Sequence, residues 1–198
     1  GNVIAMDAET GQEIWWKTLG EQYRTHVAPS PNGSGMVWSY GVYNYHAVDN
    51  DTLYVSATNR GLNFFTDGIG GHKISAPNSI EQGLVNGTIM VLDLRTGEIK
   101  WQLQTKYPPR VSPLVTNDIL FAGYIPFAKN LKTGVILALD KEKGDRLWES
   151  NVNAQIGPAG PSVGDGMLFG PTGRMQGLTK DDTIQEVIVS FGLPNKPA

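Results

Sequence analysis

Apolar and polar positions along this chain fall into short runs separated by turns, and one pattern of run, turn and run occurs three times. Residues 3–15 read VIAMDAETGQEIW, residues 89–101 read IMVLDLRTGEIKW, and residues 136–148 read ILALDKEKGDRLW. Val3 and Ala5, Ile89 and Val91, and Ile136 and Ala138 alternate along these runs, which predicts a strand with one packed face in each. Asp is then followed four residues later by Gly and eight later by Trp: Asp7/Gly11/Trp15, Asp93/Gly97/Trp101 and Asp140/Gly144/Trp148. The Asp-to-Gly span predicts a tight turn, in which the carboxylate accepts from nearby backbone N–H groups and Gly takes positive φ. The strand that follows ends on Trp, a large apolar wedge whose indole N–H needs an acceptor when buried. Each unit is therefore a β-hairpin with a packing Trp, and three of the chain's five tryptophans share this frame.

A second kind of hairpin lies between these. AVDNDTLYVSA (47–57), VSPLVTNDILFAG (111–123) and PSVGDGMLFG (161–170) each read as strand, polar turn and strand, the last two turning at Asn117-Asp118 and Gly164-Asp165-Gly166. Asp93 and Asp140 stand 47 residues apart, so two hairpins fit in one repeat. Four antiparallel strands in such a span make one blade of a β-propeller, and the fold class is all-β. Asp7 and Asp93 are 86 apart, and much of the excess is a Gly-, Asn-, Phe- and His-rich stretch at about 58–87, expected to be a long loop. The organisation predicted is a half-blade at 1–19, a blade at 27–104 containing that loop, a blade at 111–150, and closing segments at 158–193 that end in the strand EVIVSFGL. That is about three and a half blades. Closed rings have roughly four to eight, so the chain is expected to be a fragment of a propeller or one subunit of a split one. Its partners would be the remaining blades or another protein chain.

Composition narrows the function classes. The chain has 198 residues, 40% of them apolar, and 24 Gly with 12 Pro suit many turns and short strands. Lys+Arg 16 against Asp+Glu 19 gives a net charge of −3, which argues against electrostatic nucleic-acid binding. With no cysteine there is no disulfide, thiolate metal site or Cys nucleophile. No apolar run approaches the roughly 20 residues of a membrane span. The chain opens Gly1-Asn2-Val3-Ile4 inside a strand, without an initiator Met or a signal peptide, so either something has been removed upstream or the chain is a piece of something longer.

The Asp-x-x-Thr-Gly-x-x-x-Trp repeat resembles that of propellers of the pyrroloquinoline-quinone (PQQ) type. The order of segments through residues 88–170, with the ending IVSFGLP, is similar to the last blades of PQQ-dependent alcohol dehydrogenases. The resemblance implies an eight-bladed ring, PQQ and Ca²⁺ on its axis, a small alcohol as substrate, and a periplasmic or extracellular location. It places Asn44, in Gly41-Val42-Tyr43-Asn44-Tyr45-His46, at the position of a quinone-contacting Asn, in a segment about two residues shorter than the family's. Arg110 and Arg174 stand where many members carry Trp. The family's calcium ligands and catalytic Asp lie in blades upstream of this chain, so no catalytic or metal-ligating residue is assigned here.

Asn44, Arg110 and Arg174 are thus the candidate cofactor-binding residues. Asn44 would donate to a quinone oxygen or, alternatively, cap a turn; the two guanidinium groups would suit PQQ carboxylates or, alternatively, stand in solvent on loops. The repeat tryptophans read as buried structural wedges between blades. His26, His46 and His72 are too scattered for a metal site, and Asp181-Asp182 lacks the alternating acidic loop of a calcium site. Gly68–Lys73 lacks the strand–loop–helix setting of a phosphate loop. Asn32, Asn50 and Asn86 fit Asn-x-Ser/Thr, a pattern that 13 asparagines also produce by chance. Two function classes follow. The main one is the C-terminal part of a PQQ-dependent dehydrogenase, incomplete on its own. The alternative is a cofactor-free propeller acting as an extracytoplasmic binding or assembly scaffold.

Overall fold

A computed structural model of the chain describes residues 1–19, 36–38, 41–42, 44–60, 63–66, 72–74, 86–124, 134–152, 159–171 and 188–192. All regular structure among them is β-strand, as expected. Strands β1 (Asn2–Met6) and β2 (Glu13–Thr18) form a hairpin. Strands β4 (Ala47–Asp49), β5 (Thr52–Arg60), β8 (Asn86–Asp93) and β9 (Ile99–Thr105) form a four-stranded antiparallel sheet in the order β4-β5-β8-β9. Strands β10 (Pro109–Thr116), β11 (Ile119–Tyr124), β12 (Gly134–Asp140) and β13 (Arg146–Val152) repeat it. Strands β14 (Ser162–Gly164), β15 (Met167–Pro171) and β16 (Ile188–Gly192) form a three-stranded sheet. This is a partial propeller of the kind the repeat predicts.

The stretch at 58–87 corrects the expectation of a long loop. Strand β5 runs on to Arg60, and β6 (Asn63–Thr66) and β7 (His72–Ile74) pair with each other. Strand β6 also pairs with β3 (Met36–Trp38), which makes a separate three-stranded sheet, and β8 begins at Asn86. Three- and four-residue strands are too short to show alternation, and their pairing with distant β3 leaves no local signal.

The main sheets are stacked face to face, with an apolar layer between each neighbouring pair. Val3 and Leu19 of the first hairpin meet Leu53, Val55, Ala57, Met90 and Leu92 of the second sheet. From that sheet's other face Tyr54, Ile89 and Val91 meet Leu120, Ala122, Val135, Leu137 and Leu139. Ile136, Val111 and Val152 then meet Leu168. Strands β8 and β12 are thus buried on both faces, where one packed face was expected. Their continuous runs, IMVLD and VILAL, are the sequence mark of that two-sided burial.

The three Asp–Gly turns are built alike. Asp7 Oδ1 accepts from the backbone of Glu9 (3.1 Å) and Thr10 (2.7 Å), Asp93 from Arg95 (3.0 Å) and Thr96 (2.9 Å), and Asp140 from Glu142 (2.9 Å) and Lys143 (2.8 Å). Thr10 and Thr96 add hydroxyl bonds to the same oxygen, which Lys143 cannot supply. The second and third turns each meet the Trp of the repeat before them. Trp15 Nε1 donates to the Leu94 carbonyl and Trp101 Nε1 to the Lys141 carbonyl, both at 2.9 Å. The rings lie over Gly97 (φ +70°) and Gly144 (φ +76°), so that a Cβ on either glycine would stand 2.7 Å from the indole. Gly is required there by backbone conformation and by the wedge together.

The wedges are less buried than the frame predicts. Trp15 and Trp101 are half-buried, and Trp148 is 37% exposed. Trp148 meets Phe191 of β16 edge-on, at 5.1 Å between ring centroids. Strand β16 carries Gly192 opposite Met167, where β12 carries Asp140 opposite Ile119, so the repeat's Asp is missing from the strand that faces Trp148.

Two expectations follow. Replacing Trp101 by Ala removes a half-buried wedge and its hydrogen bond. Urea unfolding should show a loss of about 2–3 kcal/mol, less than the ~3–5 of a fully buried aromatic. The second concerns acid. Thr10's hydroxyl, with its backbone N–H, holds the Asp7 carboxyl below its ordinary value, and the Thr96 backbone N–H does so for Asp93. A depressed folded pKa gives stability that is complete above the unfolded value of 3.8 and lost as pH falls through the folded one. Asp93→Asn should therefore be less stable than the parent at pH 7. The gap should narrow as unfolding is repeated at pH values falling below about 4.

Candidate functional site

The first and last strands of the third sheet differ in burial. Strand β10 is buried from Pro109 to Pro113, whereas the last strand, β13, is exposed along most of its length. In a propeller the inner edges surround the central channel. Asn44 and Arg110 are brought together here, at the seam between the second and third sheets. Asn44 lies just before β4, is 7% exposed, and donates from Nδ2 to the Pro109 carbonyl at 3.1 Å. The next residue, Tyr45, donates its backbone N–H to Ser112 Oγ at 3.1 Å. Arg110 is 8% exposed, lies between Pro109 and Val111 where the β10–β11 register shifts, and is engaged within the chain. Arg174 lies outside the described residues.

The seam is polar. Ser56 and Thr58 of the second sheet and Ser112 of β10 are buried there, while Asn59 and Thr88 are buried on the face of the second sheet that meets the first hairpin, where Asn59 Nδ2 donates to Thr88 Oγ1 at 2.8 Å. Asn44 Oδ1, Ser56 Oγ, Asn59 Oδ1 and Asn86 Oδ1 are buried without a hydrogen-bond partner among the described residues. Close approach is built in: a Cβ on Gly87 would stand 2.1 Å from Pro109 Cδ, and one on Gly160 would stand 3.2 Å from the Ser112 carbonyl oxygen. His46 is exposed, and partial desolvation holds its imidazole below the ordinary value. Among the described residues no three His, Asp or Glu side chains gather as ion ligands.

One polar contact between sheets escaped sequence reasoning. Lys141 Nζ meets Asp49 Oδ2 at 2.8 Å, tying the third sheet's Asp–Gly turn to the β4–β5 turn, and the carboxylate raises the ammonium's pKa. The available signal was a charge at the place where the other repeats carry Ala8 and Leu94.

Comparison with known proteins follows the same lines. The chain is 25% identical over 158 residues to the outer membrane protein assembly factor BamB of Burkholderia pseudomallei (strain K96243), covering 77% of this chain and 38% of that protein. It is 27% identical over 166 residues to the protein of the same name from Yersinia pestis, covering 79% of this chain and 41% of the relative. The chain thus spans about two fifths of these curated relatives. The crystal structure of quinohemoprotein alcohol dehydrogenase from Comamonas testosteroni superimposes with a TM-score of 0.52 at 16% identity, over 87% of this chain and 30% of that one, a likeness of fold alone. The model of the PQQ-type repeat family described as outer membrane protein assembly factor BamB matches residues 1–178, and the chain belongs to that family.

Proposed function

We propose that this chain is part of a propeller scaffold that serves outer-membrane protein assembly from the periplasmic side, and is not the C-terminal part of a PQQ-dependent dehydrogenase. The family match across residues 1–178 carries the reading, and both curated relatives bear the assembly-factor name. The propeller itself does not discriminate, because one fold hosts many functions. A stack of sheets with both faces buried holds its turns at fixed spacing, which suits a rigid body that binds other proteins through its rims.

The quinone is the point at which the two readings part. Quinone oxygens need donors, and PQQ carboxylates need cations. Asn44 already donates from Nδ2 to Pro109, and its open atom is the acceptor Oδ1. Arg110 is already engaged inside the chain. This supports reading both residues as structural, and we derive no oxidation step through PQQ. On this reading Asn44 joins two sheets, and no calcium or alcohol is required. No helix among the described residues is long and apolar enough to cross a membrane.

Depleting the protein in an organism that makes it should lower the amount of β-barrel protein in the outer membrane, measured by quantitative mass spectrometry of membrane fractions. Titration of the purified protein with PQQ and Ca²⁺ should give no saturable uptake. Unchanged barrel levels together with saturable PQQ binding would restore the dehydrogenase.

A further inference from the structure

We propose that the seam between the second and third sheets binds one internal water molecule, held between Asn44 Oδ1 and Ser56 Oγ as a fixed part of the joint. The inference goes beyond the scaffold reading and does not depend on it.

Strand register brings the two side chains to one place. Gly41 is bridged to Thr58, each backbone N–H donating to the other's carbonyl, and Ala47 is paired with Tyr54. Residues 42–46 therefore have to cover the stretch of β5 that residues 55–57 occupy, and Asn44 falls opposite Ser56 at the middle of both. The extra length leans on β10. Asn44 Nδ2 donates to the Pro109 carbonyl, and the Tyr45 N–H donates to Ser112 Oγ. Ser56 stands two residues along β5 from Tyr54, which packs against Leu120, Leu137 and Leu139 of the third sheet. Alternation puts Ser56 on that same face. Both side chains thus lie on the seam, and both are shut off from bulk solvent: Asn44 is 7% and Ser56 1% exposed.

Each brings a polar atom that the protein leaves unmatched. Asn44 Oδ1 and Ser56 Oγ are buried without a hydrogen-bond partner. Turning the amide over does not help, because Oδ1 would then face the Pro109 carbonyl oxygen, acceptor against acceptor. The Pro109 contact therefore fixes the amide, with its oxygen open. The hydroxyl and the amide oxygen do not bond one another directly. A small molecule between them has to donate to a carbonyl-type oxygen and either donate to or accept from a hydroxyl. Water does both, and two protein partners are enough to hold it. A cation suits the place less well. Among the described residues no carboxylate is buried at the seam, and the buried charge there is the guanidinium of Arg110.

The test is a crystal structure of the protein as its organism makes it, at a resolution that shows ordered water. A peak of water height is expected within about 2.7–3.2 Å of both Asn44 Oδ1 and Ser56 Oγ. Three results overturn the proposal: a direct bond between the two atoms, no peak between them, or a peak too large or too heavy for water. Where crystals do not diffract far enough, magnetic relaxation dispersion of water ¹⁷O decides, since it counts long-lived internal waters in solution. Ser56→Val puts a methyl group in the water's place and should lower the count by about one relative to the parent. Should that variant not fold, Ser56→Ala serves, because it leaves the water a single partner and should lower the count as well. An unchanged count in the folded variant overturns the proposal. Neither outer-membrane barrel levels nor PQQ uptake enters these measurements, so the water and the scaffold reading stand or fall separately.

Discussion

The contact between an indole and the next repeat's turn is the constraint on which the stack depends. The turn has to be closed by its Asp before it can offer a carbonyl at the right place. It has to carry Gly at positive φ before it can accept a ring at van der Waals distance. The ring then fixes the separation of two sheets, and at that separation Tyr54, Ile89 and Val91 reach Leu120, Leu137 and Leu139 without a gap. Hydrogen bond and wedge act as one unit. The indole N–H would otherwise be removed from water without a partner, at a cost of about 1–3 kcal/mol.

Much of this was legible in the sequence because the repeat places rare residues in register. Three Trp in one frame with Asp and Gly identify hairpins, turns and fold class without any reference to burial. Burial itself was harder to read. The alternation in β8 and β12 suggested one packed face, and only the unbroken apolar run, with Met90 and Leu92 between the others, signals that both faces are covered. The small sheet of β3, β6 and β7 left no trace because it depends on pairing across some 27 residues and on strands too short to have a period. Trp148 follows the frame in sequence and departs from it in space, since Gly192 stands where its partner strand would need Asp. At the candidate site, residue type pointed to Asn44 and Arg110, and the two do lie close together. Their roles depend on the Pro109 carbonyl and on the register shift beside it, neither of which can be read from residue identity.

The seam also illustrates how one set of polar residues can be read as chemistry or as carpentry. Buried Asn, Ser, Thr and Arg at the inner edge of a propeller resemble a cofactor pocket in composition. In this chain two of them connect neighbouring sheets, Asn44 to the Pro109 carbonyl and Ser112 to the Tyr45 backbone. Buried polar groups that are satisfied within the protein fix one arrangement of the sheets against the sliding that an apolar layer alone would permit.

The indole contacts have a direction. Trp15 reaches forward to Leu94 and Trp101 forward to Lys141, so the second and third sheets are each clasped by the one before it in the chain. During synthesis a completed hairpin holds its Trp ready, and the clasp closes as soon as the next Asp–Gly turn emerges. A sheet clasped in this way need not wait for the end of the chain, and folding can follow the order of translation. The same polarity makes the stack mechanically unequal. Force that pulls the first hairpin from the second sheet is borne by the Trp15 clasp, and one that pulls the second from the third by the Trp101 clasp.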